Sequence, residues 1–290
     1  MKLTELLQSN RPTVSCELFP PKPGTALLDA SSVVRRMAAL HPAYMSVTCS
    51  AGGSGNGGAT TADMANEVQN INGIAALAHL TCVAATRDEV RASLEDLKKL
   101  GIENILALRG DLPRNGTFPH PDGYRHASEL MEEIRAFGGF CIGGACYPEG
   151  HPESATLYED IENLKYKMDA GCEFLTTQMF FDNNELYSYL YKLRRAGIDL
   201  PVTAGIMPVT NASQIKRIMS LSGSQLPARF RAIIDRFADN PAAVKQAGIA
   251  YATEQIIDLL ANGVDHVHIY TMNKPEIAGS IMANLSEILQ

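Results

Sequence analysis

Short apolar runs recur along the chain, separated by segments in which apolar residues return every three or four positions. The runs are TVSCELF at 13–19, YMSVTC at 44–49, AALAHLTC at 75–82, NILALR at 104–109, FCIGGACY at 140–147, FLTTQM at 174–179, PVTAGIM at 201–207 and HVHIYTM at 266–272. Several are apolar nearly throughout, as parallel strands covered by helices must be. The helix-period segments mark their own boundaries. In TRDEVRASLEDLKKLG at 86–101, Thr86 and Glu89 form a capping box and Gly101 ends the helix. TLYEDIENLKYKMDAG (156–171) and NNELYSYLYKLRRAG (183–197) also end in glycine, and Arg194 and Arg195 suit the negative end of the helix dipole. HASELMEEIRAFG (126–138) and NASQIKRIMSLSG (211–223) repeat the scheme.

Strand alternating with helix eight times predicts an α/β fold, a (β/α)8 TIM barrel, built as one catalytic domain over 1–290. The long stretch between the seventh and eighth strands contains PARFRAIIDRF and a helix-like 241–262, so extra helices are expected there. No Pro/Gly/Ser-rich linker divides the chain. GGSGNGG at 52–58 predicts a flexible loop after the second strand, long enough for a mobile lid or a substrate-facing loop.

Composition narrows the partners. With 290 residues and 46% hydrophobic content there is ample material for a core. The formal charge of −7, without a long Lys/Arg run, argues against a nucleic-acid or anionic-membrane surface. No apolar run approaches the roughly 18 residues of a membrane span. The start, MKLTELLQSNRPT, is too polar for a signal peptide, so a cytoplasmic location is expected. The six cysteines form no CxxC, and reduced, buried thiols are expected. A Rossmann fingerprint, a P-loop, HExxH and GxSxG are all absent. No metal is expected; His266 and His268, alternating in one strand, are the remaining candidate ligands.

In such barrels the chemistry sits at the carboxyl ends of the strands. Those ends carry Glu17 with Phe19-Pro20-Pro21, Thr48, His79 with Thr81, Arg109-Gly110-Asp111, Tyr147 with His151, Gln178, and Tyr270 to Asn273. A carboxyl buried at position 17 would have its neutral form favoured, as a general acid at neutral pH requires. Plainer readings stand beside this one. Glu17 could be a paired structural acid and His79 a core histidine. Arg109 and Asp111 could be a structural ion pair, Gln178 a loop cap, Asp182 a helix-terminal residue and YPEGHPES a turn.

SCELFPPK, SVTCSAG, AHLTC, ALRGDLP, CYPEGHPE, TTQMFFD and GIMPVTN occur in this order over nearly the whole chain. Together they resemble the methylenetetrahydrofolate reductase family, in its single-domain bacterial type. The resemblance implies an FAD-bearing barrel that passes a hydride from NADH or NADPH, through the flavin, to 5,10-methylenetetrahydrofolate. The product would be 5-methyltetrahydrofolate. It implies three catalytic residues: Glu17 as the acid that protonates folate N10, Asp111 as a carboxylate beside flavin and folate, and Gln178 as an amide facing pterin or nicotinamide. Cofactor contacts are implied at Thr48, Cys49, Ala51, His79, Arg109, Gly110, Asp111, His126, Ala127, Tyr147, His151, Asp160, Asn163, Tyr166 and Lys167. Substrate contacts are implied at Glu17, Thr48, Asp111, Gln178, Gln214 and Lys274. Lys167 lies one turn after Asn163, so both can face one ligand, and a cation there suits a diphosphate. Departures from the family pattern fall at Cys49, His126, Tyr166, Ile218 and Lys274. These bear on nucleotide affinity, folate-tail contacts and electron-donor choice. The absence of an Arg cluster for a 2′-phosphate leans toward NADH. A homo-oligomer is compatible with the sequence. Three alternatives stay open: a flavin subunit drawing electrons from an iron–sulfur partner protein, an FAD barrel resembling proline dehydrogenase, and a metal-dependent barrel aldolase or hydrolase.

Overall fold

Each of the eight apolar runs contains a strand, and all neighbouring strands run parallel. In the computed structural model, which describes residues 1–9, 11–21, 27–49, 60–112, 118–213, 215, 219 and 224–290, the strands are Thr13–Leu18 (β1), Tyr44–Val47 (β2), Ala75–Thr81 (β3), Asn104–Leu108 (β4), Cys141–Cys146 (β5), Phe174–Thr177 (β6), Val202–Ile206 (β7) and His266–Ile269 (β8). They pair in chain order, and β8 returns to β1 through Thr13↔His266 and Cys16↔Ile269, closing the barrel. The predicted (β/α)8 architecture is therefore present.

The helices that cover it are Leu3–Leu7 (α1), Leu27–Ala38 (α2), Thr61–Asn66 (α3, continued by a π turn over Glu67–Ile71), Arg87–Lys99 (α4), Ala127–Phe137 (α5), Leu157–Asp169 (α6) and Asn183–Arg195 (α7). After β7 come Ala228–Arg236 (α8) and Pro241–Ala261 (α9), the expected extra helices, and after β8 Pro275–Asn284 (α10). The α4 capping box forms as predicted, with the Thr86 hydroxyl accepting from the Glu89 N–H and the Glu89 carboxylate accepting from the Thr86 N–H. Asp182 caps α7 by accepting from the Asn184 N–H, as its plainer reading had it. The loop predicted at 52–58 lies outside the described residues, as does part of the helix predicted at 211–223. Among the described residues, no helix is long and apolar enough to cross a membrane.

Strand alternation sorts the side chains into two sets. One set, including Val14, Cys16, Met45, Ile105 and Val267, packs under the helices in the main core. The other points into the barrel. At the amino end of the strands it is apolar: Tyr44, Leu77, Leu106, Cys141 and Phe174 cluster with Leu3 and Leu7 of α1. This short helix is the barrel floor. Its Leu3 N–H donates to the buried Asn104 Oδ1 at 2.8 Å, and Asn104 Nδ2 donates to the Met1 and Ala76 carbonyls. A satellite core joins the loops after β6 and β7 to the extra helices, through Phe181, Met207, Val209, Phe230 and Val244. With the floor closed, the open, polar end of the barrel is the carboxyl end.

Candidate active site

The carboxyl mouth is organised around β1 and β8. Glu17 is the penultimate residue of β1, and its backbone is fixed from the segment that follows β8: the Thr271 hydroxyl donates to the Glu17 carbonyl at 2.6 Å. Two residues on, Asn273 brackets Phe19, accepting its N–H at 2.8 Å and donating to its carbonyl at 2.9 Å. This requires Met272 and Asn273 to adopt left-handed conformations, with φ of 53° and 56°. That is why the strand stops at Ile269 although the apolar run continues to Met272.

Inside this frame Glu17 and His79 face each other. The carboxyl Oε2 and the imidazole Nε2 are 3.9 Å apart, with both side chains less than a tenth exposed. Burial pushes the Glu17 carboxyl up from 4.5 to about 8 and the His79 imidazole down from 6.5 to about 4. Desolvation disfavours the charged form of each, so at neutral pH the pair is an acid holding its proton beside an unprotonated imidazole. Below them lies His268, stacked on Tyr44 at 5.5 Å between ring centroids. Its two ring nitrogens are taken by the hydroxyls of Ser15 (2.7 Å) and Ser46 (2.9 Å), and burial lowers its pKa to about 3. His266 is likewise engaged by Thr13 and the Leu7 carbonyl. The two histidines considered as metal ligands are thus spent on barrel hydrogen bonds. Among the described residues, no group of three His, Cys, Asp or Glu is placed to hold a metal ion.

Tyr270 crosses the mouth and donates to the Thr177 carbonyl at 2.5 Å. It can do so because Gly205 lies beneath it; a Cβ there would stand 2.5 Å from the Tyr270 hydroxyl. Gln178 follows β6, its Oε1 accepting from the N–H of the next residue, Met179, a bond within its own loop and not a cap on a neighbouring one. Thr48 continues β2, donating its N–H to Leu18 and accepting at its carbonyl from the Thr61 hydroxyl. Cys49 lies 3.5 Å from the Thr81 hydroxyl.

The rim beyond β4 and β5 carries the charges. Arg109 pairs with Glu153 through two bonds of 2.6 and 2.7 Å. The ion pair considered between Arg109 and Asp111 is therefore replaced: the partner comes from the YPEGHPES loop, and Asp111 is exposed. The sequence does not point to Glu153, because a turn rich in Pro and Gly does not reveal which of its acids folds back. Gly110 adopts φ of +89°, and a Cβ would sit 2.9 Å from Val83, so the bare backbone there is obligatory. Tyr147 and His151 meet edge-on at 4.7 Å. Asp160 is buried with Oδ2 unpartnered, and burial raises its pKa. Lys167 donates to the Ala145 carbonyl at 2.7 Å, and burial lowers its pKa. Asn163 and Tyr166, on the same helix α6, are exposed. Ala127 opens α5, and the exposed His126 before it gives no side-chain cap. Lys274 donates to Thr210 at 3.2 Å. Ala51 and Gln214 lie outside the described residues. Glu17 and Asp111 come from the carboxyl ends of β1 and β4 and so share one mouth.

A parallel barrel with a sealed floor and a polar mouth is the architecture of the (β/α)8 enzymes. Residues 2–286 match the family model described as methylenetetrahydrofolate reductase, and the chain belongs to that family. A similar protein is methylenetetrahydrofolate reductase (NADH) 1 of Zea mays, 35% identical over 300 residues, covering 99% of this chain and 50% of the maize protein. The chain thus spans about half the length of the plant relatives it matches. It is 34% identical over 274 residues to 5,10-methylenetetrahydrofolate reductase of Escherichia coli (strain K12), covering 94% of this chain and 90% of that protein. Among solved structures, an uncharacterized protein from Clostridium thermocellum that binds two copies of 5-methyl-5,6,7,8-tetrahydrofolic acid shares the fold, with a TM-score of 0.64 at 13% identity over 100% of this chain and 99% of that one.

Proposed function

We propose that this chain, as a single catalytic barrel over 1–290, reduces 5,10-methylenetetrahydrofolate to 5-methyltetrahydrofolate with FAD as cofactor and NADH or NADPH as electron donor. The observation that carries the reading is the Glu17 carboxyl, buried at the mouth of the barrel with its pKa pushed up to about 8. Reduction of this substrate requires the methylene bridge to open, and opening requires a proton on N10. A carboxyl that keeps its proton at neutral pH is a donor for that step.

The donor set at the rim fits FAD. Asp160 Oδ2 is buried and partnerless, and the α5 amino terminus at Ala127 has no side-chain cap. Arg109, paired with Glu153, and Lys167, donating to the Ala145 carbonyl, would have to exchange these partners to serve a diphosphate. Thr48, His79, Tyr147, His151 and Asp160, with Arg109, Gly110, Ala127 and Lys167, would hold the cofactor. Cys49, Asn163, Tyr166 and His126 would border it. Bound there, FAD supplies two-electron hydride relay between the nicotinamide and the folate.

The remaining work falls to side chains of this chain. Glu17 holds the proton and gives it to N10. Asp111 supplies a fixed negative charge near the iminium cation that develops at N5. Gln178, with its carbonyl oxygen engaged by Met179, keeps its NH2 for a substrate acceptor. Lys274 would face the folate tail. The test is anaerobic. The purified protein should be yellow, bleach on mixing with NADH or NADPH, and regain its colour with 5,10-methylenetetrahydrofolate. A yellow protein inert to both nicotinamides would move the electron source to an iron–sulfur partner protein; a colourless one would sink the flavin assignment.

A further inference from the structure

The Glu17 proton needs a place to rest until it is transferred, and the groups around it differ sharply in what they can offer. Tyr270 commits its hydroxyl hydrogen to the Thr177 carbonyl at 2.5 Å. His268, beneath, has both ring nitrogens taken by Ser15 and Ser46. Tyr44 stacks on His268 and is fully buried in the floor of the polar layer, where its hydroxyl too has no hydrogen-bond partner. Thr271 reaches only the Glu17 backbone carbonyl. His79 alone among these presents a buried ring nitrogen, Nε2, without a hydrogen-bond partner, and that atom is 3.9 Å from Glu17 Oε2.

We propose that His79 is a positioning residue for Glu17: its unprotonated Nε2 accepts a hydrogen bond from the protonated carboxyl and fixes the orientation of the acidic proton. This rests on the reading of Glu17 as the proton donor.

The chemistry is complementary. A protonated carboxyl has one O–H to donate, and a neutral imidazole has one lone pair to receive it. Charged forms would be costly here, since both side chains are less than a tenth exposed. The burial-driven shifts, upward for Glu17 and downward for His79, point to the same neutral pairing. The separation of 3.9 Å exceeds a hydrogen bond, so the Glu17 side chain must move toward His79 to make one. Catalytic hydrogen bonds are commonly long in ligand-free structures and tighten in the complex. His268 contributes from below: held neutral by burial, it places no positive charge under His79 and leaves the Nε2 lone pair available.

The test reads the proton directly. Infrared spectra of the purified protein labelled with carbon-13 glutamate should show a protonated carboxyl band at neutral pH that is lost in Glu17→Gln. In His79→Leu the band should move to the position of a carboxyl without a hydrogen bond, and in His79→Gln, which keeps an acceptor, it should return. In nitrogen-15 histidine spectra of the otherwise native protein, Glu17→Gln should shift the Nε2 resonance of His79, a readout that does not depend on any His79 variant folding. A merely structural His79 would leave the Glu17 band in place. A band unmoved in His79→Leu and an Nε2 resonance unmoved in Glu17→Gln overturn the proposal, even if Glu17 proves essential for folate reduction. Absence of any protonated Glu17 band overturns it together with the acid reading.

Discussion

Replacing Glu17 by glutamine should make the protein more stable at alkaline pH, because the native fold holds this carboxyl in its neutral form. Burial raises its pKa from 4.5 to about 8, whereas the unfolded chain titrates near the ordinary value. Between these two values the native state binds more protons than the unfolded state, so stability falls as pH rises. The stability tied to the protonated carboxyl is complete below about pH 4.5 and lost on passing through about pH 8. At roughly 1.4 kcal/mol per unit, the whole window is worth on the order of 5 kcal/mol. Glutamine carries no titrating proton and escapes the loss. His79 works in the opposite sense: with its pKa lowered from 6.5 to about 4, its contribution is present above 6.5 and lost as pH falls. That slope lies almost wholly below about pH 6.5, so above it the difference between the two proteins reports Glu17. Urea unfolding followed by circular dichroism should show the variant gaining on the parent by roughly 2–3 kcal/mol between about pH 6 and about pH 8. Parallel stability curves over that interval would refute the protonated, buried carboxyl.

Two further outcomes follow from the floor and the rim of the barrel. Asn104→Ala removes the acceptor for the buried Leu3 N–H and the donor to the Met1 and Ala76 carbonyls; urea unfolding should register a loss of about 2–4 kcal/mol from the orphaned groups. Asp111→Asn should slow reoxidation of the reduced flavin by 5,10-methylenetetrahydrofolate by about tenfold or more, seen in stopped-flow absorbance, and an unchanged rate would remove Asp111 from the mechanism.

The barrel was legible because its signals are local. The run NILALR marked β4, and Thr86 with Glu89 marked the start of α4, since a strand burial pattern and a capping box are complete within a few residues. The strand ends were less clear where tertiary contacts decide them. The apolar run at 266–272 stops being strand at Ile269 because Asn273 must turn back to bracket Phe19. The floor helix α1 gave no signal of its role: five residues carry too short a period, and their importance comes from Asn104, a hundred positions away. At the site, the polar residues at strand ends could be named from their place after apolar runs. Their pairing could not. Arg109 chooses Glu153 over Asp111, and the Glu17–His79 contact depends on strand register across β1, β2 and β3.

The most direct test of the central claim, that Glu17 delivers the proton that opens the substrate, separates the two half-reactions in Glu17→Gln. Under anaerobic conditions the nicotinamide should still bleach the flavin at a rate near that of the parent protein. Reoxidation by 5,10-methylenetetrahydrofolate should be slower by at least about a hundredfold, the usual contribution of a positioned general acid. Equal slowing of both steps, or an unimpaired folate step, would contradict the assignment.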